Sequence, residues 1–270
     1  MEKAPGFGAM LARLLSHKGL SVGFLARRMG IPESDLQAVL DGAAPDGSLI
    51  WRLAPELGLH VADLFVIAGM PVPEDLAPVD AGIGRLVARL VLAAMGLPPE
   101  SRTQVLDFLR SLPQQDRTQS VPVVRDEVYE RFPPGLGKVL VLMLRNRNFD
   151  WLPATELIYR AGGPILSGSM IGSVGLGRKE VTPRLLAAFA TVLGIPIGDL
   201  AAIGGLEYQF SADLADLDGG DMAALIWEAR RLTAEQVRRA GEQVPPRGLW
   251  GLSKTGLEEI RVSIHLDNRE

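Results

Sequence analysis

Apolar residues recur at helical spacing from the start of the chain. Met10, Leu11, Leu14 and Leu15 form one stripe, closed at Lys18-Gly19, where a glycine can stop a helix. Ser21 fits an N-cap ahead of a second short helix carrying Phe24, Leu25 and Met29. That helix is cut at Gly30-Ile31-Pro32, a turn of the kind that joins two helices at a steep angle. The spacing predicts a third helix from about Glu33 to Leu40, with Leu36, Val39 and Leu40 inward, and two more over about Ser48 to Leu57 and Val61 to Ala68. After Pro71-Val72-Pro73, the positions Ile83, Leu86, Val87, Leu90 and Ala94 mark an amphipathic helix. Leu97-Pro98-Pro99-Glu100 opens another, with Val105, Leu106, Phe108 and Leu109 as its apolar side.

The pattern then returns about 136 residues later. Leu57-Gly58-Leu59 and Asp63-Leu64 read again as Leu193-Gly194-Ile195 and Asp199-Leu200, and Leu49, Ile50, Leu53 and Ala54 map onto Leu185, Leu186, Phe189 and Ala190. The hairpin repeats too: Leu90, Val91, Ala94 and Leu97 correspond to Leu225, Ile226, Ala229 and Leu232. The expected organisation is therefore a first bundle over 1–70, a helical hairpin over 71–118, a linker over 119–133, a divergent second bundle over 134–206, a second hairpin over 207–245 and a tail over 246–270. Two stretches depart from helical spacing. Ser120 to Tyr129 carries Val121, Val123 and Val124, and the tail alternates Ile260, Val262, Ile264 and Leu266 with polar residues, the period of short β-strands that need a partner strand in this chain or another.

Composition narrows the class. Unbroken apolar runs such as Val139 to Leu144 fall far short of the roughly 20 residues that cross a bilayer. Nothing at Met1-Glu2-Lys3-Ala4-Pro5-Gly6 resembles an export signal, and with no cysteine there is neither a disulfide nor a thiolate metal site, so a cytoplasmic protein is expected. The net charge of −4 argues against indiscriminate coating of nucleic acid, but its distribution is uneven: residues 134–206 carry 7 Lys and Arg against 4 Asp and Glu, the one basic region.

Taken together, Leu20-Ser21, Leu25-Ala26, Met29-Gly30-Ile31-Pro32, Leu36, Val39-Leu40-Asp41-Gly42, Leu53-Ala54, Leu57-Gly58-Leu59 and Asp63-Leu64 resemble the Cro and lambda-repressor type helix-turn-helix domain, also called the xenobiotic-response-element (XRE) family. The resemblance covers roughly residues 7–69, and more weakly 135–206, where the turn reads Gly162-Gly163-Pro164 and about three extra residues precede Ile171 and Val174. It implies an all-α fold of tandem bundles and a third helix that enters the DNA major groove while the second helix holds phosphates.

The donors such a role needs are unequal between the copies. In the first, Ser34 and Gln37 could read base edges, and Arg13, Lys18, Arg27 and Arg28 could anchor phosphates, but Glu33, Asp35 and Asp41 lie beside them. In the second, Pro164 to Gly177 contains four glycines from Gly168 onward, which weaken a helix by about 1 kcal/mol each. A loop or frayed helix is expected there, its small side chains letting backbone amides approach phosphates, with Arg178, Lys179 and Arg184 behind them and Arg145, Asn146, Arg147 and Asn148 at the end of the first helix.

Other chemistry finds little purchase. Gly172 to Lys179 lacks the Lys-Ser/Thr pair of a phosphate-binding loop, and Gly175 and Gly177 lack a third glycine and a preceding strand for a dinucleotide. His17, His60 and His265 are scattered, with no metal-ligand spacing, and read as surface histidines; no nucleophile context appears, so neither an enzyme nor a cofactor is expected. The sequence thus points to a DNA-binding transcriptional regulator of double-stranded DNA, its chosen contact residues being Arg27, Arg28, Ser34, Gln37, Arg178, Lys179 and Arg184. A homodimer would present four units. The alternative is an interaction module that keeps the fold, has lost DNA binding and recognises a protein or small-molecule effector, another regulator, a sigma factor or a ligand, through its helical hairpins; a third reading, ligand-gated regulation, needs a pocket between the halves, lined by Trp51, Trp151 or Trp227.

Overall fold

A computed structural model describes residues 6–80, 82–114, 127–208, 220–242 and 244. The regular structure among these residues is all helix, with no strand. The first unit comprises α1 (Phe7–Lys18), α2 (Val22–Met29), α3 (Glu33–Leu40), α4 (Gly47–Leu57) and α5 (Val61–Ile67). A hairpin follows, α6 (Gly84–Ala94) and α7 (Pro99–Ser111), then a single turn, α8 (Glu127–Glu130). The second unit is α9 (Leu136–Asn146), α10 (Trp151–Arg160), α11 (Gly168–Gly175), α12 (Pro183–Leu193) and α13 (Ile197–Gly204), and the second hairpin is α14 (Gly220–Ala229) and α15 (Ala234–Glu242). Of the stretches read as extended, Glu127 to Tyr129 is helical. Val121, Val123, Val124 and the alternating tail lie outside the described residues.

Local chemistry sets the boundaries. Ser21 caps α2 by accepting from the Phe24 amide at 3.3 Å, and Asp46 and Thr182 cap the equivalent helices α4 and α12. The Asp46 carboxyl is held below its usual range, first by the Leu49 amide it accepts at 2.8 Å. Gly58 and Gly194 end α4 and α12 in the left-handed conformation, at φ 69° and 68°.

Both units share one internal contact that only glycine permits. A Cβ on Gly8 of α1 would sit 2.4 Å from the Val39 carbonyl oxygen of α3, and one on Gly137 of α9 would sit 2.0 Å from that of Val174 on α11. The second unit therefore keeps the first unit's packing despite its glycines. Its third helix is a full eight-residue helix, not the loop or frayed segment expected, because the glycines serve close approach: Gly172 lies against the Trp151 ring and Gly175 against that of Phe132. The extra length falls in the turn, which runs over seven residues from Ala161 to Ser167 where the first unit uses three, Gly30 to Pro32.

The halves meet reciprocally. Helix α1 packs on α13 and α5 packs on α9, so the first helix of each unit covers the fifth helix of the other, as subunits do across a two-fold axis. The hairpins interleave: α6 packs on α15, α14 on α7, and α6 and α14 on each other. They also seat on the second unit, α6 against α10 and α14 against α12. One contiguous apolar core results, running from Met10 to Val244. No single helix here is long and apolar enough to cross a membrane, and the apolar bent pair α12 and α13 is that unit's core.

Candidate functional site

Helix α3 buries Leu36 and Val39 and turns Ser34, Gln37 and Ala38 to solvent, so the side chains picked for base reading do face outward. Their polar atoms are engaged locally. Gln37 Nε2 donates to Asp41 Oδ1 at 3.0 Å and Ser34 Oγ to Asp35 Oδ1 at 3.4 Å. Arg27 and Arg28 end α2 and are exposed. Arg28 Nε lies 2.5 Å from Glu56 Oε2, and its guanidinium stands 5.7 Å from the Phe24 ring centre. Glu33, Asp35 and Asp41 lie beside them, so these five residues carry three formal negative charges against two positive.

The corresponding face of the second unit is built differently. Helix α11 presents Ser169 and Met170, Leu152 of α10 is exposed beside its start, and Tyr159 at the other end of α10 and Ile165 of the long turn are also exposed, Ile165 at 81%. Arg184 Nε donates to the Gly162 carbonyl at 2.8 Å and so pins that turn. Arg178 is exposed and Lys179 half-buried just past α11. The amides of these two residues both donate to the Ser173 carbonyl, at 2.8 and 3.1 Å, which folds the chain back at the end of α11.

A correction concerns the end of the second unit's first helix. Arg147, expected to back up phosphate contacts, is 1% exposed and lies between the units. Its guanidinium grips Asp63 of α5 with both ends, Nη1 to Oδ1 and Nη2 to Oδ2 each at 2.8 Å, and further donates to the carbonyls of Met143 and Leu193. Asn146 is buried with it and donates to the Ala62 carbonyl at 3.0 Å. Arg230, just past α14, donates through Nε to the Asn146 carbonyl and through Nη2 to the Leu76 carbonyl. Trp227 closes the cluster, stacked on the His60 ring at 3.4 Å and 5°, with Arg230 at 4.1 Å and Arg147 at 5.3 Å from its ring centre. Desolvation against this layer, together with the nearby arginines, pushes the His60 pKa down to about 4, against the opposing pull of Asp63.

The repeat places Asp199 where the first unit has Asp63. There the partner is Lys18, its Nζ 2.6 Å from Asp199 Oδ2, with His17 Nε2 3.6 Å from Oδ1. Lys18 thus belongs to the interface between units rather than to a phosphate-binding face. The signal that could have revealed this was present: an aspartate at the same repeat position on two otherwise apolar helices, Ala62-Asp63-Leu64 and Gly198-Asp199-Leu200. Trp51 is exposed on α4, Trp151 packs on Gly172 and Trp227 stacks on His60, so the three tryptophans line no common pocket. Among the described residues no group of three or more His, Asp or Glu side chains could hold a metal ion. Comparison with family models, with curated proteins and with solved structures finds no match to this chain.

Proposed function

We propose that this chain is a DNA-binding regulator in which two helix-turn-helix units of the XRE type, fused and locked face to face, do the work of a dimeric reader. The observation that carries the reading is the reciprocal packing of α1 on α13 and α5 on α9, which joins two units, each with an exposed side to its third helix, through one continuous core. Dimeric readers meet half-sites on successive turns of the duplex, and a fused pair needs no concentration-dependent association to do so. On this reading Ser34 and Gln37 contact bases once Gln37 leaves Asp41, Arg27 and Arg28 hold phosphates beside the first unit, and Arg178, Lys179 and Arg184 supply the positive field of the second.

Selection of bound duplexes from a random pool at low salt, followed by anisotropy titration, tests it. A defined sequence with a steep salt dependence is expected. Charge reversal at Arg178 and Lys179 should reduce the slope of log K against log salt by about 0.9 for each phosphate no longer neutralised, and an unchanged slope would remove both residues from the interface.

A specific observation favours a second reading, a module that recognises another protein. Leu152, Tyr159, Ile165 and Met170 are exposed on the second unit, while Glu33 and Asp35 lie on the first unit's third helix and Asp41 caps it. Absence of any selected duplex at low salt would decide for it.

A further inference from the structure

The third helices of the two units match residue for residue, yet the side chains they turn outward differ. Leu36 and Val39, buried on α3, correspond to Ile171 and Val174, buried on α11. Ser34 therefore corresponds to Ser169, Asp35 to Met170, Gln37 to Gly172 and Ala38 to Ser173. Helix α3 begins with Glu33 and Asp35, whereas α11 carries no charged residue at all.

Packing enforces the change at Gly172. A Cβ there would stand 2.9 Å from the Trp151 ring, so no side chain takes the place that Gln37 holds in the first unit while that ring keeps its position. The paired hydrogen bonds that a glutamine amide makes to adenine are thus denied to the second unit. Its hydroxyls are engaged within the helix and its cap. Ser169 Oγ lies 2.9 Å from Ser167 Oγ, and Ser173 Oγ donates to the Ser169 carbonyl at 3.1 Å. What α11 offers beyond these is the Met170 side chain, 40% exposed, with Leu152 of α10 exposed beside the helix's start. A flexible thioether chain makes no specific hydrogen bond to a base, but it packs closely on apolar groups. The apolar group that a base edge presents in the major groove is the C5-methyl of a pyrimidine.

We propose that the two units read unlike half-sites, the first through Ser34 and Gln37 and the second through a pyrimidine C5-methyl packed on Met170. The inference rests on the reading that this chain binds duplex DNA, and deepens it. A dimer of identical units selects a palindrome because both halves present the same side chains. Here Gln37 on one side is answered by Gly172 and Met170 on the other, so the recognition sequence is not a palindrome.

Duplexes selected from a random pool by the full chain test this. The expected product is a non-palindromic sequence in which one half-site holds a critical thymine. Replacing that thymine by deoxyuridine removes only the methyl group and should weaken binding about fourfold, the worth of burying one methyl. Met170→Ala should abolish the difference between thymine and deoxyuridine, and Met170→Leu should retain it. A preference for 5-methylcytosine over cytosine in that half-site, with none for thymine over deoxyuridine, would identify methylated cytosine as the source of the methyl. Gln37→Ala should relax base preference in the other half-site alone. A palindromic product, a Gln37→Ala effect felt in both half-sites or in neither, no methyl effect with either pyrimidine, or a methyl effect that survives Met170→Ala would each overturn the inference while leaving DNA binding in place. Failure to select any duplex would overturn the underlying reading and this inference together.

Discussion

At the scale of single residues, the Asp63–Arg147 pair dominates. Both side chains are essentially out of water, and each is satisfied only by the other and by fixed backbone and amide groups. Truncating one partner leaves a bare buried charge, so Arg147→Met or Asp63→Leu should each cost about 3–5 kcal/mol in urea unfolding, while the double replacement should cost less than either. His60 gives a pH-dependent counterpart. Its folded pKa lies near 4, below the ordinary 6.5, so between these values the unfolded chain takes up a proton that the folded one refuses. The stability contributed by neutral His60 is complete above pH 6.5 and drains away as the pH falls toward 4. His60→Phe keeps a ring on Trp227 but cannot titrate, and its melting temperature should fall less than that of the parent between about pH 7 and about pH 4.5. Asp46 does not confuse the comparison, because its depressed carboxyl responds below 3.8.

At the scale of elements, the glycines of the second unit mislead propensity because they are there for packing. Gly8→Ala and Gly137→Ala should each destabilise by about 1–3 kcal/mol, since the new methyl meets a backbone carbonyl that cannot step aside. Gly168→Ala makes the opposite case: its Cβ would find only ordinary contact with Trp151 at 3.6 Å, and thermal melts should show a gain of up to about 1 kcal/mol. Sequence periodicity located α3 at Glu33 to Leu40 and α4 and α5 to within a residue, since a 3.6-residue stripe and its caps are local properties. It misjudged α11, since nothing local announces that Gly172 faces Trp151 across a seven-residue turn. The outward placement of Ser34 and Gln37 was likewise readable from the inward Leu36 and Val39. Their ties to Asp35 and Asp41 were written in the same short stretch of chain, whereas the burial of Arg147 depends on a helix 84 residues away.

At the scale of the whole molecule, the duplication supplied two units but not their mutual orientation, because reciprocal docking depends on which faces complement each other rather than on any spacing. That docking has an energetic consequence. The core is continuous through α1, α13, α5 and α9, and the hairpins add a layer that rests chiefly on the second unit, so neither half presents a closed apolar surface alone. The intact chain should therefore melt in one cooperative step, with a calorimetric enthalpy equal to the van't Hoff enthalpy. The ion pairs of the two repeated aspartates are unequal: Asp63 with Arg147 is sealed by Trp227 and Arg230, while Lys18, its side chain 23% exposed, reaches Asp199 from the edge. Weakening the sealed side with Asp63→Asn should accordingly uncouple the first unit, whose attachment to the hairpins runs through His60 on Trp227, and split the endotherm so that van't Hoff enthalpy falls below calorimetric enthalpy. Lys18→Met should lower the single transition without splitting it, and an intact single transition in both variants would show that apolar packing alone holds the units together.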